Sequence, residues 1–179
     1  MKTITVPTAD QVSPESKAIF DQLQKHIGMV PNLYGTIGYS SNALKGFLEF
    51  DANLGKGAFH AKEREAIGLA VSEINHCDYC LASHSMTAVM AGIEQDETLN
   101  IRKGHATDPK INAVIQLAQE ITKTKGNPSP EYLENFYLAG YDEASLMELV
   151  GLITIRIFTN YVFAITHIPI DFPAAMELV

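Results

Sequence analysis

The sequence is poor in the features that mark nucleic-acid-binding and disulfide-rich proteins. Its 179 residues include two cysteines, no tryptophan, and 13 lysines and arginines against 21 aspartates and glutamates, which gives a formal net charge of −8. The densest basic cluster is Lys56, Lys62 and Arg64, which is too small to bind a phosphate backbone. We therefore expect no nucleic-acid partner.

The chain also lacks a segment that predicts secretion or membrane insertion. The opening residues, MKTITVPTADQ, contain no apolar run of the kind found in a secretory signal. The longest apolar segment, residues 146–170, is interrupted by four polar side chains: Glu148, Arg156, Asn160 and His167. Such groups are costly in hydrocarbon, which favours a buried helix over a membrane span. The expectation is a cytoplasmic protein with no membrane partner.

The scarcity of cysteine makes the position of Cys77 and Cys80 informative. The two residues lie three positions apart, so a disulfide between them closes a very small loop and contributes little entropic stabilisation. A disulfide framework in a secreted protein would join distant segments instead. Thiol chemistry is therefore the better explanation of the pair.

Helical periodicity runs through the chain, and strand alternation is almost absent. Capping residues, glycines and prolines predict an all-α fold with eight helices, over residues 14–27, from Asn32, 41–54, 60–76, 78–91, 109–123, 130–139 and from Asp142 onward. The length suits one domain, predicted over residues 1–179, with a helical extension at 1–40 and a core at 41–170.

A weak internal repeat relates two parts of the chain at an offset of 48 residues. It pairs Ile67 with Ile115, and Gly92 with Gly140, where each glycine ends a helix. The pattern suggests two copies of a helical hairpin. Chance similarity in a helical protein rich in alanine and leucine is the alternative.

The chemistry that the sequence predicts is centred on Cys77, Cys80 and His84. Amide groups at a helix N-terminus stabilise a thiolate, and the two-residue spacing lets one cysteine attack and the other resolve the product as a disulfide. His84 lies one turn after Cys80 on the same helix face. It can accept the proton of Cys80 and hold the thiolate as an ion pair.

Glu65 lies on the preceding helix and is expected to be level with His84 if the two helices are antiparallel. It can then orient the imidazole, and the lean of side chains toward their own N-termini favours a bridging water over direct contact. The competing interpretation is a solvated glutamate paired with Lys62.

Other interpretations of these residues remain open at the sequence level. Cys77, Cys80 and His84 are three suitable zinc ligands, with His76 or an acid as a fourth, although no second cysteine pair exists. The pair can also be simply buried. Four further side chains are predicted to be structural: His76 at a turn, Tyr79 by packing, and Met86 and Met90 in the core.

Residues 63–84, EREAIGLAVSEINHCDYCLASH, strongly resemble the AhpD-like alkylhydroperoxidases of the carboxymuconolactone decarboxylase superfamily. The shared pattern is a glutamate, eleven residues, then Cys-x-x-Cys-x-x-x-His, and it matches here at Glu65, Cys77, Cys80 and His84. The resemblance covers about residues 40–170, and the ending TNYVFAITHIPIDFP resembles the peroxidase-related branch.

This resemblance implies a multihelical AhpD-like fold with a helical-hairpin repeat, usually assembled as a trimer or hexamer. It implies that Cys80 attacks a hydroperoxide, that Cys77 resolves the product, and that His84 and Glu65 relay protons. No metal or other cofactor is implied, and the reductant is a dithiol such as a lipoyl group on a partner protein.

One position departs from the family pattern, because the best-known members carry a histidine where this chain has Tyr79. The related decarboxylases act on a lactone without the cysteine pair, which argues against that activity here. The sequence thus predicts a cofactor-independent thiol peroxidase. The alternatives are a disulfide reductase or redox adaptor, and a zinc-binding or redox-sensing protein.

Overall fold

The computed structural model describes residues 3–178, and over that range the chain folds into nine α-helices joined by turns, with no β-strand. The helices are α1 (Pro14–Ile27), α2 (Asn32–Ile37), α3 (Ser41–Leu54), α4 (Ala61–Ile74), α5 (Asp78–Met90), α6 (Gln95–Arg102), α7 (Pro109–Thr124), α8 (Pro130–Leu138) and α9 (Glu143–Thr166). The predicted all-α fold class is confirmed.

Capping residues place the helix starts where the sequence predicted them. At the start of α1, the Ser16 N–H donates to the Ser13 hydroxyl at 3.2 Å. At the start of α9, the Ser145 N–H donates to the Asp142 carboxylate at 2.8 Å. These side chains satisfy amide donors that the first turn of a helix otherwise leaves unpaired.

Helix α6 was not predicted, because its sequence QDETLNIR carries no apolar stripe. Tertiary contacts hold it in place instead. Ile101 is fully buried, and the Arg102 guanidinium donates to the Glu73 carboxylate at 2.7 Å and to the Met176 carbonyl. Arg102 therefore joins α6 to Glu73 of α4 and to the C-terminal segment.

Helix α4 occupies the centre of the fold and packs against α5, α6, α7 and α9. Five of its consecutive apolar or small residues have no or almost no exposed surface: Ala66, Ile67, Gly68, Leu69 and Ala70. A helix that is apolar around its circumference is buried on all sides. Glu65 therefore lies on a helix that is held by neighbouring helices on several sides.

The repeat suggested by the sequence is present in the fold. An offset of 48 residues relates three pairs of helix ends: the starts of α4 and α7, the ends of α5 and α8, and the starts of α6 and α9. Gly92 and Gly140 both follow their helices with left-handed φ angles of 89° and 92°, a conformation that glycine adopts at low cost. Ile67 and Ile115 are both fully buried. The helical-hairpin repeat is thus structural.

Helix α9 is long and apolar enough to cross a membrane by length and composition alone, and 44% of its most apolar window is buried within the protein. Its polar interruptions have partners in the core. Arg156 forms an ion pair with Asp51 at 3.2 Å, and the Asn160 amide accepts a hydrogen bond from Asn75 at 2.8 Å. One face of α9 packs in the core as predicted, whereas the opposite face is apolar and exposed.

The helical extension makes specific contacts with the predicted core, since α1 and α2 pack against α3, and α2 also packs against α9. The single domain over residues 1–179 stays a prediction, and residues 1, 2 and 179 lie outside the described residues. The prediction that Met90 is a core residue is wrong, because it ends α5 where the chain turns outward and is 78% exposed. Met86 is half-buried.

Candidate active site

The two cysteines lie at the start of α5, where a sharp turn separates α4 from α5. His76 adopts a left-handed conformation with φ of 51°, and the Cys77 N–H donates to the Ser72 carbonyl at 3.0 Å. This turn makes Cys77 the N-cap of α5 and leaves Cys80 in its first turn. Both are free thiols, 2% and 3% exposed.

The surroundings of the two thiols shift their pKa values in opposite directions. The pKa of Cys80 falls to about 6, chiefly because the Cys77 thiol donates a hydrogen bond to its sulfur; burial opposes this shift, and the charge of His84 adds to it. The same hydrogen bond and burial raise the pKa of Cys77. Thr159 lies close by, with its hydroxyl oxygen 3.8 Å from the Cys80 sulfur. At neutral pH Cys80 is therefore the thiolate and Cys77 its protonated neighbour.

Glu65 and His84 meet directly. The Glu65 Oε2 atom lies 2.8 Å from His84 Nδ1 and accepts a second hydrogen bond from the Thr87 hydroxyl at 2.5 Å. The prediction of a bridging water is thus wrong, and so is the alternative of a solvated glutamate paired with Lys62. The side chains of Glu65 and His84 are only 21% and 12% exposed.

Glu65 is ionised and holds the His84 imidazole. Burial alone would raise its pKa, but the charge and hydrogen bond of His84, the Thr87 hydroxyl and the charge of Arg156 together lower it to about 2. An ionised carboxylate only accepts hydrogen bonds, so His84 Nδ1 carries the proton that it shares with Glu65. His84 Nε2 is then the ring nitrogen that can exchange a proton during a reaction.

Gly68 permits this close approach of α4 and α5. A Cβ atom at Gly68 would lie 2.7 Å from both Cε1 and Nδ1 of the His84 ring, which is shorter than real Cβ contacts. The glycine therefore leaves the space into which the imidazole fits beside Glu65.

We expect Gly68→Ala to lower the free energy of unfolding by about 1–3 kcal/mol, because the added methyl group overpacks the helix interface. It should also displace the His84 ring and raise the pKa of Cys80. Urea denaturation and the pH profile of thiol alkylation measure the two effects. The matched control is Gly46→Ala, which meets no atom within 4 Å and should raise stability by about 0.5–1 kcal/mol. A stabilised Gly68→Ala variant would contradict the packing argument.

A cavity of about 70 Å³ lies beside Cys80 and His84. Its walls come from segments far apart in the sequence: Leu33 and Tyr34 of α2, Phe47 of α3, Arg156 and Thr159 of α9, and Phe172 of the C-terminal segment. The sequence did not predict these wall residues. The one signal that it offered was Arg156, a charge within the longest apolar segment.

Tyr79 packs as predicted, and it also fixes the walls of the cavity. Its hydroxyl donates to Asp171 Oδ1 at 2.6 Å and accepts a hydrogen bond from the Leu33 N–H at 3.1 Å. The other Asp171 oxygen accepts from the Asn32 N–H at 2.7 Å. Tyr79 therefore joins the redox motif to α2 and to the C-terminal segment that carries Phe172.

The structure brings together all four residues that the sequence nominated: Glu65, Cys77, Cys80 and His84. His76 is exposed at the turn as predicted. Within residues 3–178, no group of three or more His, Cys, Asp or Glu side chains is arranged to hold a metal ion.

A family model matches the part of the chain that carries the candidate site. The model of the carboxymuconolactone decarboxylase family matches residues 42–120, which include all four nominated residues. A search of curated protein sequences gave no match.

Several solved structures share the fold over nearly the whole chain. A peroxidase-related protein from Silicibacter sp. TM1040 is 20% identical, with a TM-score of 0.78 over 99% of this chain and 95% of its own. The AhpD core of a peroxidase-related protein from Ralstonia eutropha JMP134 is 18% identical, with a TM-score of 0.79 over 89% and 86%. The debrominase Bmp8, in complex with 2,3,4-tribromopyrrole, is 16% identical, with a TM-score of 0.79 over 96% and 92%.

The two comparisons support each other at different levels. Residues 42–120 are similar to the carboxymuconolactone decarboxylase family, and the chain shares the fold of AhpD-like, peroxidase-related proteins.

Proposed function

We propose that this protein is a cofactor-independent thiol peroxidase that reduces hydroperoxides through a Cys77–Cys80 dithiol–disulfide cycle. The observation that carries the proposal is the low pKa of Cys80, about 6, in a thiol that faces a small cavity. Next to it stand a protonated thiol, Cys77, and an imidazole held by Glu65.

The proposed reaction has two steps. The Cys80 thiolate attacks the terminal oxygen of the hydroperoxide, the S–O bond forms and the O–O bond breaks, and the departing alkoxide takes a proton from His84. The products are a sulfenic acid on Cys80 and an alcohol. The Cys77 thiol then condenses with the sulfenic acid, which gives the disulfide and water. An external dithiol reduces the disulfide and regenerates both thiols.

The burial of the site favours a small substrate. The cavity beside Cys80 measures about 70 Å³ and is partly open. Both cysteines are almost fully buried, which hinders the approach of a folded protein's disulfide to Cys80. These dimensions favour a hydroperoxide over the disulfide reductase or adaptor function, and a slender dithiol such as a lipoyl group as reductant.

A peroxidase assay tests the proposal. Reduced protein is mixed with tert-butyl hydroperoxide, and we expect loss of two thiols for each alcohol formed, at a rate well above that of free cysteine. Steady-state turnover is then compared with dihydrolipoamide, dithiothreitol and glutathione as donors. A reaction no faster than that of free cysteine contradicts the peroxidase function.

We also propose that the protein is a homo-oligomer located in the cytoplasm. The exposed face of α9 carries apolar side chains at helical spacing on both sides of Thr154, here called the α9 stripe: Met147, Val150, Phe158, Tyr161 and Ile165. An exposed apolar surface of this kind is typically a site at which another protein binds. Because its residues run along a 24-residue helix, a second copy of α9 fits the stripe.

We expect Ile165→Glu, and more strongly the double change with Tyr161→Glu, to lower the molar mass of the assembly. A carboxylate buried in an apolar interface is strongly destabilising. Size-exclusion chromatography with light scattering measures the mass. The matched control is Leu138→Glu on α8, because Leu138 is 84% exposed and lies outside the stripe. Unchanged mass for both stripe variants, or a monomeric unmodified protein, overturns the assignment of this face.

A further inference from the structure

Arg156 is a buried charge that the proposed reaction does not yet use. It lies in the middle of α9, is 7% exposed and lines the cavity beside Cys80 and His84. Placing a guanidinium in a protein interior is costly unless it is paired. A buried cation in the wall of a reaction cavity therefore calls for a functional explanation.

The pairing of Arg156 is incomplete. Its Nη2 atom lies 3.2 Å from Asp51 Oδ1, but Asp51 also pairs with Arg64 at 3.0 Å, so two guanidinium groups share one carboxylate. Arg156 Nε has no hydrogen-bond partner within the described range. Asp51 by itself therefore does not neutralise both guanidinium groups.

The charge of Arg156 reaches the groups around the cavity. It contributes to the low pKa of Glu65, and it acts on the Tyr34 hydroxyl, where burial dominates and raises the pKa to about 12. Arg64 differs, because it shares Asp51 but does not line the cavity. The two arginines therefore differ mainly in their access to a bound substrate.

We propose that Arg156 is a further catalytic residue, which donates a hydrogen bond to the oxygen that departs from the hydroperoxide. When the thiolate attacks, negative charge develops on that oxygen as the O–O bond breaks, and a fixed guanidinium stabilises it. His84 still supplies the proton that completes the alcohol, so atoms and electrons balance as in the two-step reaction. This inference rests on the proposed peroxidase function.

The test compares variants of the two arginines in a single-turnover reaction of reduced protein with tert-butyl hydroperoxide. We expect Arg156→Met to lower the second-order rate constant about 100-fold, the effect typical of losing one preorganised donor. Arg156→Lys keeps the positive charge but lacks the planar set of N–H donors of a guanidinium. Its second-order rate constant should fall about tenfold. The matched control Arg64→Met should stay within about threefold of the unmodified protein.

Alkylation by iodoacetamide separates a role in O–O cleavage from a role in thiolate formation, because its leaving group needs no hydrogen-bond donor. We expect the alkylation pH profile of Arg156→Met to keep its midpoint near that of the unmodified protein. An unchanged peroxide rate in Arg156→Met overturns the inference, as does an equal loss in Arg64→Met or an alkylation shift that accounts for the whole loss. If Arg156→Met does not fold, Arg156→Lys decides by the same criteria.

Different results would contradict the peroxidase function and the role of Arg156. If the unmodified protein reduces no hydroperoxide, the proposed function fails and Arg156 has no such reaction to assist. If the unmodified protein is active and both Arg156 variants match it, the peroxidase function stands and the role of Arg156 is wrong.

Discussion

Cys80→Ser is expected to abolish hydroperoxide reduction, since the hydroxyl of serine is not ionised at neutral pH and cannot replace a thiolate whose pKa is about 6. Peroxide consumption should fall to the rate of the buffer alone. Cys77→Ser should behave differently, because it leaves the attacking thiolate in place. It should complete one turnover and stop as a sulfenic acid on Cys80.

Dimedone labelling followed by peptide mass spectrometry distinguishes the two cysteines. The label should appear on Cys80 in Cys77→Ser, and no label should appear on Cys77 in Cys80→Ser. The reverse pattern means that the two roles are exchanged. Cys77→Ala provides a further comparison with Cys77→Ser, because only serine retains a donor for the hydrogen bond that chiefly lowers the pKa of Cys80.

The second large effect is expected from His84→Gln. Loss of the nearby positive charge should raise the pKa of Cys80 by about 1–3 units from its value near 6. Only the thiolate reacts with iodoacetamide, so the alkylation rate at pH 6 should fall at least about fivefold, and the midpoint of the pH profile should move to higher pH. Glu65→Gln should shift the midpoint in the same direction, because Glu65 holds the imidazole at 2.8 Å.

The control for this experiment is His26→Gln, an exposed histidine at the end of α1. Its alkylation profile should match that of the unmodified protein. A His84→Gln profile that overlays the control would remove the ion pair between His84 and Cys80 from the mechanism. The acidity of Cys80 would then rest on the hydrogen bond from Cys77 and on its neighbours Asn160 and Thr159.

Tyr79 occupies the position at which the sequence departs from the AhpD-like pattern, and its contacts differ from those of a proton relay. Its hydroxyl is engaged by Asp171 and by the backbone of Leu33, and burial together with Asp171 raises its pKa. Tyr79 therefore remains protonated and serves as a structural link between the redox motif and the cavity wall. In the proposed mechanism His84 and Glu65 move protons without help from this position.

Much of the architecture was predictable because it depends on neighbours in the sequence. Ser13, Asp142 and the helix-ending glycines set helix boundaries through hydrogen bonds within one turn of chain. The spacing of Cys77, Cys80 and His84 likewise specified a shared helix face, because an α-helix has 3.6 residues per turn. The sequence by itself thus determined the all-α fold, suggested the hairpin repeat, and placed Cys77, Cys80 and His84 on one face at the start of α5.

Tertiary structure decided everything that depends on distances between segments. The direct contact of Glu65 with His84 exists because Gly68 lets α4 and α5 pack closely, and no spacing rule within one helix specifies that gap. Arg156 reaches the cavity from α9, which no local pattern predicted. Helix α6 likewise forms through contacts with α4 and the C-terminal segment. Local hydrogen bonds fixed the helices, whereas long-range packing fixed the site between them.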